Sequence, residues 1–266
     1  MTILTDQLGN QHQFEKYPQR ILSLVPSQTE LLYDLNLGPQ IVGLTKFCVH
    51  PDQFLKTKVV VGGTKQVNFD KIKALQPDII IANKEENSLE IVTELTKICP
   101  VWVTNVNNLN DNIQMIIDFG QLLERAVLAQ ILVDKIRTAQ IDFENFISTK
   151  PQFKIAYFIW ANPYMVAANL TFINELLALN KFTNVFKHLN RYPEINLEQL
   201  TLAQPDCIFL SSEPYPFKEK QKCEIQKFTN ASIIYVDGEF FSWHGSRILK
   251  AFDYFKAVRE KIEKNN

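Results

Sequence analysis

Two histidines stand beside aromatic side chains in short segments of turn-forming residues: His50 in Phe47-Cys-Val-His-Pro51, and His244 in Phe241-Ser-Trp-His-Gly245. Imidazole ligates haem iron, cobalt and free transition metals, so a histidine from each of two loops could clamp a metal centre. The alternative is that His50, which precedes Pro51, only serves the hydrogen bonding of its own loop. Trp160, Tyr164, Phe241 and Trp243 follow apolar runs that read as strands. The ends of such strands are where a parallel sheet presents its ligands, so these rings would either offer a flat contact surface or complete a core. Arg247 could meet an anionic ligand group or pair with a carboxylate of the chain itself. Ser27 and Thr29 stand at a helix start, where free amides attract an anion unless the hydroxyls simply cap the turn.

Other chemistries find no support. There is no nucleophile elbow, Walker loop, zincin helix or pair of catalytic carboxylates. The four cysteines, Cys48, Cys99, Cys207 and Cys223, lack CxxC or zinc-ligand spacing and read mainly as small core residues. The expectation is therefore a protein that binds rather than catalyses, with no cofactor serving as a catalyst.

The elements that must position these residues are announced by a repeat. Asn68-Phe-Asp-Lys-Ile-Lys-Ala-Leu-Gln-Pro-Asp-Ile-Ile80 returns as Asn196-Leu-Glu-Gln-Leu-Thr-Leu-Ala-Gln-Pro-Asp-Cys-Ile208, without a gap and with one offset, since 196 − 68 and 208 − 80 both give 128. Asn68 and Asn196 suit the N-cap of a helix, and Asp70 and Glu198 complement the dipole in its first turn. The prolines end each helix, and short apolar runs follow in the manner of strands buried on both faces. Helix, Pro-Asp turn and buried strand make a piece of a parallel α/β sheet.

Around the repeats, residues 2–16 read as a hairpin turning at Leu8-Gly-Asn-Gln11. Ile21–Val25, Ile41–Leu44, Val59–Val61, Val101–Thr104, Lys154–Ile159 and Ile233–Val236 read as further strands. Leu109 to Ile147 carries helical spacing, with a break expected at Gly120 or Glu124-Arg125; a helix over 125–147 would span roughly 35 Å. The fold class is α/β: two Rossmann-like lobes with mainly parallel sheets joined by a long connector helix. Boundaries fall at residues 1–108, 109–149 and 150–266, and a cleft between such lobes is where a small molecule would bind.

The chain has 266 residues, 46% hydrophobic and 21% charged, so each lobe can bury a core without disulfides or metal. A formal net charge of −1 lacks the basic face that nucleic acid requires. No run is long enough for a membrane helix, and the N-terminus shows neither the basic and apolar regions of a signal peptide nor a nearby cysteine for a lipid anchor, which leaves a cytoplasmic location open.

These segments together resemble a known family. Arg20-Ile-Leu-Ser-Leu-Val-Pro-Ser-Gln-Thr-Glu-Leu-Leu32, Ile41-Val-Gly-Leu-Thr45, the Val61-Gly-Gly turn, both Gln-Pro-Asp blocks and the long helix are similar to the helical-backbone (class III) substrate-binding proteins of metal-chelate ABC importers. Within that family the likeness is nearest to the vitamin B12 binders, through Thr45–Pro51 and Asp237–Arg247. The resemblance implies a periplasmic, monomeric receptor that holds cobalamin, haem or a ferric siderophore. It also implies delivery to the membrane subunit of an importer, whose arginines would engage Asp70 and Glu198. Phe47 occupies a position where a cleft tyrosine is expected, so the implied wall comprises Phe47, His50, Trp160, Tyr164, Phe241, Trp243, His244 and Arg247. At Thr64 and Asn83, where tryptophans are expected, small polar residues stand among Lys65, Lys84, Glu85 and Glu86, a rim suited to a more polar chelate. The alternative function is a cytoplasmic carrier, sensor or cofactor-metabolism enzyme on the same fold.

Overall fold

A computed structural model describes residues 2–265. The chain divides into two compact units: unit 1 is Met1–Ile136 with His244–Arg247, and unit 2 is Arg137–Trp243 with Ile248–Asn266.

Unit 1 opens with the antiparallel hairpin β1 (Thr2–Thr5) and β2 (Gln11–Phe14). Its turn begins earlier than the Gly9 signal suggests. The Asp6 carboxylate accepts from the amides of Leu8 and Asn10, and Gly9 takes a positive φ of 86°. Then come β3 (Ile21–Ser23), α1 (Pro26–Asp34), β4 (Ile41–Leu44), α2 (Phe54–Thr57), β5 (Val59–Val60), α3 (Phe69–Leu75), β6 (Ile79–Asn83), α4 (Leu89–Leu95) and β7 (Val101–Thr104). The sheet runs β5-β4-β3-β6-β7, parallel throughout. Both its central strands, β3 and β6, are wholly buried, as near-continuous apolar runs require.

The helical stretch that follows is two helices, α5 (Leu109–Leu122) and α6 (Ala126–Ser148). Glu124, at φ 56°, turns the chain between them. The division into units falls inside α6. Ala129, Val133 and Ile136 are buried on its first part, and Phe143 and Ile147 on its second.

Unit 2 contains β8 (Phe153–Trp160), β9 (Met165–Val166), α7 (Phe172–Leu179), β10 (Phe182–Asn184), α8 (Leu197–Ala203), β11 (Cys207–Ser211), α9 (Glu219–Gln226), β12 (Ser232–Val236), α10 (Glu239–Ser242) and α11 (Ile248–Asn265). The parallel order is β10-β8-β11-β12, with β9 antiparallel to the end of β8. On α11, Phe252 and Phe255 pack against Phe143 at ring separations of 5.7 and 5.9 Å.

The two repeat blocks fold alike in detail. The side chains of Asn68 and Asn196 cap α3 and α8, accepting from the amides of Lys71 and Gln199. Each helix ends because a glutamine, Gln76 or Gln204, turns left-handed at φ 46°. A non-glycine residue there is strained, and the following proline prevents a return to helix. The Asp of each Gln-Pro-Asp then clamps the start of the neighbouring strand: Asp78 accepts from the amides of Gln19 and Arg20, and Asp206 from that of Lys154.

Candidate functional site

The loops at the carboxyl ends of the parallel strands carry most residues of interest, and each unit has its own set. In unit 1, β4 runs into Thr45–Pro51. Thr45 and Cys48 are buried and lie 3.2 Å apart through their hydroxyl and thiol, while the Thr29 hydroxyl oxygen lies 3.1 Å from the same sulfur. Burial pushes the Cys48 thiol pKa up, so it anchors the loop as an inert thiol. That anchor leaves Phe47 48% exposed, with the Lys46 ammonium 5.0 Å from its ring centroid. His50 follows, half-buried, before Pro51.

The β6 end of unit 1 is a self-contained polar turn. Asn83 Oδ1 accepts from the amides of Glu85 and Glu86, and its Nδ2 donates to Thr104 Oγ1 at 3.0 Å. Asn87 Oδ1 accepts from the Asn83 amide, and its Nδ2 donates to the Thr64 carbonyl. Burial, opposed by the nearby Lys65, holds the Glu86 carboxyl above the usual carboxylate range.

Beneath this turn lies the first correction to the sequence reading. His244 and Arg247 are 8% and 6% exposed, inside unit 1, although the chain on either side of His244–Arg247 belongs to unit 2. His244 Nδ1 is 2.8 Å from Ser27 Oγ, and its Nε2 is 3.1 Å from Gln28 Nε2. Both ring nitrogens therefore face polar side chains of α1. Burial lowers the pKa of the ring to about 4, so it is neutral at ordinary pH. With both ring nitrogens engaged by Ser27 and Gln28 and its ring enclosed, His244 is not placed to ligate a metal. Arg247 makes a two-pronged ion pair with Glu30 of α1, at 2.7 and 3.1 Å, so it meets a carboxylate of the chain itself. Gly245 exchanges hydrogen bonds with the Asn112 side chain of α5. Ser27 and Thr29 are likewise buried, and the Thr29 hydroxyl lies within hydrogen-bonding distance of Ser23 Oγ and the Val25 carbonyl, so neither presents an anion site.

Unit 2 is aromatic where unit 1 is polar. Trp160, the last residue of β8, is 39% exposed. Tyr215, in the loop after β11, meets it edge-on with ring centroids 5.5 Å apart. Tyr164 turns inward against Phe158 at 5.8 Å; burial first, then its bond to Glu224, raises its phenol pKa. Trp243 is 7% exposed and donates from Nε1 to Glu213 at 2.8 Å. Phe241 requires a second correction: it is fully buried among Tyr157, Phe209 and Phe255, so it is core and offers no wall. The helix α10 that carries it is only one turn long, and a turn after a strand gives no signal of which ring faces inward.

Asp70 and Glu198 are both exposed, each in the first turn of its capped helix. Tyr215 and Glu213 escaped the sequence reading, although Ser211-Ser-Glu-Pro-Tyr-Pro216 satisfies the rule that singled out Trp160, an aromatic in a turn after a strand. Among the described residues no group of three or more His, Cys, Asp or Glu side chains could hold a bare metal ion. Among them, too, no helix is long and apolar enough to cross a membrane.

Comparison with known proteins agrees with this architecture. Residues 21–232 match the family described as periplasmic binding protein. A vitamin B12-binding protein of Vibrio campbellii is 23% identical over 252 residues, covering 91% of each chain. An uncharacterized ABC transporter substrate-binding lipoprotein of Bacillus subtilis is 25% identical, covering 94% of this chain and 83% of the relative. Among solved structures, the periplasmic vitamin B12 binding protein of Vibrio cholerae superposes with a TM-score of 0.81 at 21% identity, over 93% of this chain and 98% of that one. A periplasmic heme-binding protein from Roseiflexus gives 0.80 at 17% identity, over 92% and 99%.

Proposed function

The chain belongs to the periplasmic binding protein family, and we propose that within it the protein is a receptor for a metal-containing tetrapyrrole, a corrinoid or haem, delivered to an ABC importer outside the cytoplasm. The observation that carries this reading is the exposed indole of Trp160, held at a strand end of unit 2 by an aromatic neighbour. A flat, partly apolar macrocycle gains large contact area on such a ring at little entropic cost. Phe47, exposed at the corresponding end of the unit 1 sheet, has the same character. The relatives named for vitamin B12 and the structural neighbours named for haem support the ligand class. The protein acts by binding, and the metal arrives as part of the cargo. His50 is the side chain proposed for metal contact; His50→Ala should abolish any ligand-field change in the absorbance of bound haem while leaving the fold intact.

Asp70 and Glu198 are proposed to dock the importer, one on each unit, because they are exposed and equivalent under the repeat. Charge reversal at both should abolish association with the membrane subunit and leave ligand affinity unchanged. The central test is titration of the purified protein with cyanocobalamin, hemin and a ferric chelate, read by absorbance and melting. A ligand at 100 times its dissociation constant should stabilise the protein by about 2.7 kcal/mol. A melt unmoved by all three would falsify the receptor reading.

A further inference from the structure

We infer that Tyr215 is a positioning residue for ligand recognition: it holds the exposed Trp160 ring in the orientation that stacks on a flat ligand. The inference rests on the receptor reading above and goes beyond it by assigning a specificity role to the β11–α9 loop.

Trp160 ends a strand and leaves 39% of its surface in solvent, so its own backbone does little to fix the indole plane. The contact at its side is Tyr215, with centroids 5.5 Å apart and planes inclined at 63°. Tyr215 is itself immobilised. Its ring packs on Phe217 at 5.0 Å and 69°, and Phe217, only 5% exposed, packs on Phe158 of β8 at 6.3 Å and 84°. Its hydroxyl accepts from Gln221 Nε2 of α9 at 2.9 Å. The loop before it is tied down as well. The Ser211 hydroxyl donates to the Glu213 carbonyl at 2.6 Å, and the Glu213 carboxylate accepts from Ser242 and Trp243, both at 2.8 Å.

An edge-to-face ladder thus runs from the buried Phe158 through Phe217 and Tyr215 to the exposed Trp160. Each T-shaped contact prefers the positive edge of one ring against the negative face of the next, which selects an orientation as well as a distance. A ring oriented before the ligand arrives loses less freedom on binding, so the ladder raises affinity without Tyr215 touching the ligand. Tyr215 acts through Trp160, and its effect should vanish when Trp160 is removed.

The test compares wild type, Tyr215→Leu, Tyr215→Phe, Trp160→Leu and the double variant Y215L/W160L in separate titrations with hemin and cyanocobalamin. Tyr215→Leu should weaken binding of the recognised probe about threefold to tenfold, the range of one aromatic pair. Tyr215→Phe keeps the ring and should restore affinity to within about twofold, and the double variant should bind no more weakly than Trp160→Leu alone. A ligand-independent arm uses protein labelled with 5-fluorotryptophan, whose three tryptophans give three fluorine resonances. Tyr215→Leu should shift and broaden the Trp160 resonance and leave that of Trp102 in place, which also certifies the fold. The inference is overturned by an unmoved Trp160 resonance, by wild-type affinity in Tyr215→Leu, or by losses that multiply in the double variant. Wild-type protein that binds neither probe while the Trp160 resonance responds as expected overturns the receptor reading and, with it, the recognition role of the ladder.

Discussion

Asn68–Ile80 and Asn196–Ile208 build the same helix, left-handed glutamine and clamping aspartate, yet the loops beyond the strand ends of their two sheets are chemically opposite. In unit 1 the loops close over a buried polar network of Ser27, Gln28, Asn83, Thr104 and His244, with the Glu30–Arg247 ion pair behind it. In unit 2 they present an aromatic ladder ending at Trp160. The repeat is scaffold, conserving hydrogen bonds that end helices and start strands. The difference between units is where ligand choice can reside, because a ladder of rings tolerates a new ligand face more easily than a buried network of polar side chains that bond one another.

If that contrast is right, the largest effects on folding come from the buried polar side of unit 1 and the aromatic core of unit 2. Removing one partner of the Glu30–Arg247 pair strips a buried charge of its two-pronged counter-ion, so Arg247→Ala should cost about 3–5 kcal/mol in urea denaturation. Replacing both residues with methionine should recover much of that. Phe241→Ala should cost about 3–5 kcal/mol as a core cavity, with ligand affinity intact in whatever fraction stays folded. A Phe241→Ala protein of normal stability but lost affinity would return Phe241 to the ligand wall and break the contrast.

The next effect is on pH. An imidazole that ordinarily titrates near 6.5 and is held at about 4 in the fold binds its proton more readily when unfolded. Its neutral burial therefore loses stability as pH falls from about 6.5 to about 4, by about 3 kcal/mol in all. His244→Gln should flatten the stability curve in that window. Asp6 behaves as a depressed acid in a lower window. Burial alone would raise its pKa, but hydrogen bonds from His12, Asn10 and the Val103 amide prevail and hold it at about 2. Its contribution, about 2 kcal/mol, is present above the unfolded pKa near 3.8 and is lost as pH falls through about 2. A wild-type curve with no decline between pH 6.5 and 4 would contradict the neutral, buried His244.

Smaller still, Asn68→Ala and Asn196→Ala should each cost about 1 kcal/mol. The second should cost more, because α8, unlike α3, has a reciprocal capping box, formed with Gln199. Phe47→Ala should change stability least, within about 0.5 kcal/mol, since the ring is 48% exposed. It should nevertheless weaken ligand binding measured by absorbance titration, which separates a wall residue from a core one.

Much of this was legible in the chain. The Asn caps, the Gln-Pro-Asp stops and the apolar runs located α3, β6, α8 and β11 because those signals are local: a cap and its amide lie within three residues. The break before α6 was readable for the same reason, at Glu124. Some elements carried weak local signals and were missed. α4 is only seven residues long, the charged α9 has little apolar periodicity, and β10 is three residues long.

The site was less legible. Sequence alone determined which residue types follow the strands, and so which aromatics and histidines were candidates. Only the tertiary structure decided that His244 and Arg247 fold back into unit 1, that Phe241 faces the core, and that Tyr215 stands beside Trp160. The reason is physical. Whether a side chain in a turn points to solvent or to the interior depends on partners such as Ser27 and Glu30, 217 positions away from His244 and Arg247, which no local pattern encodes.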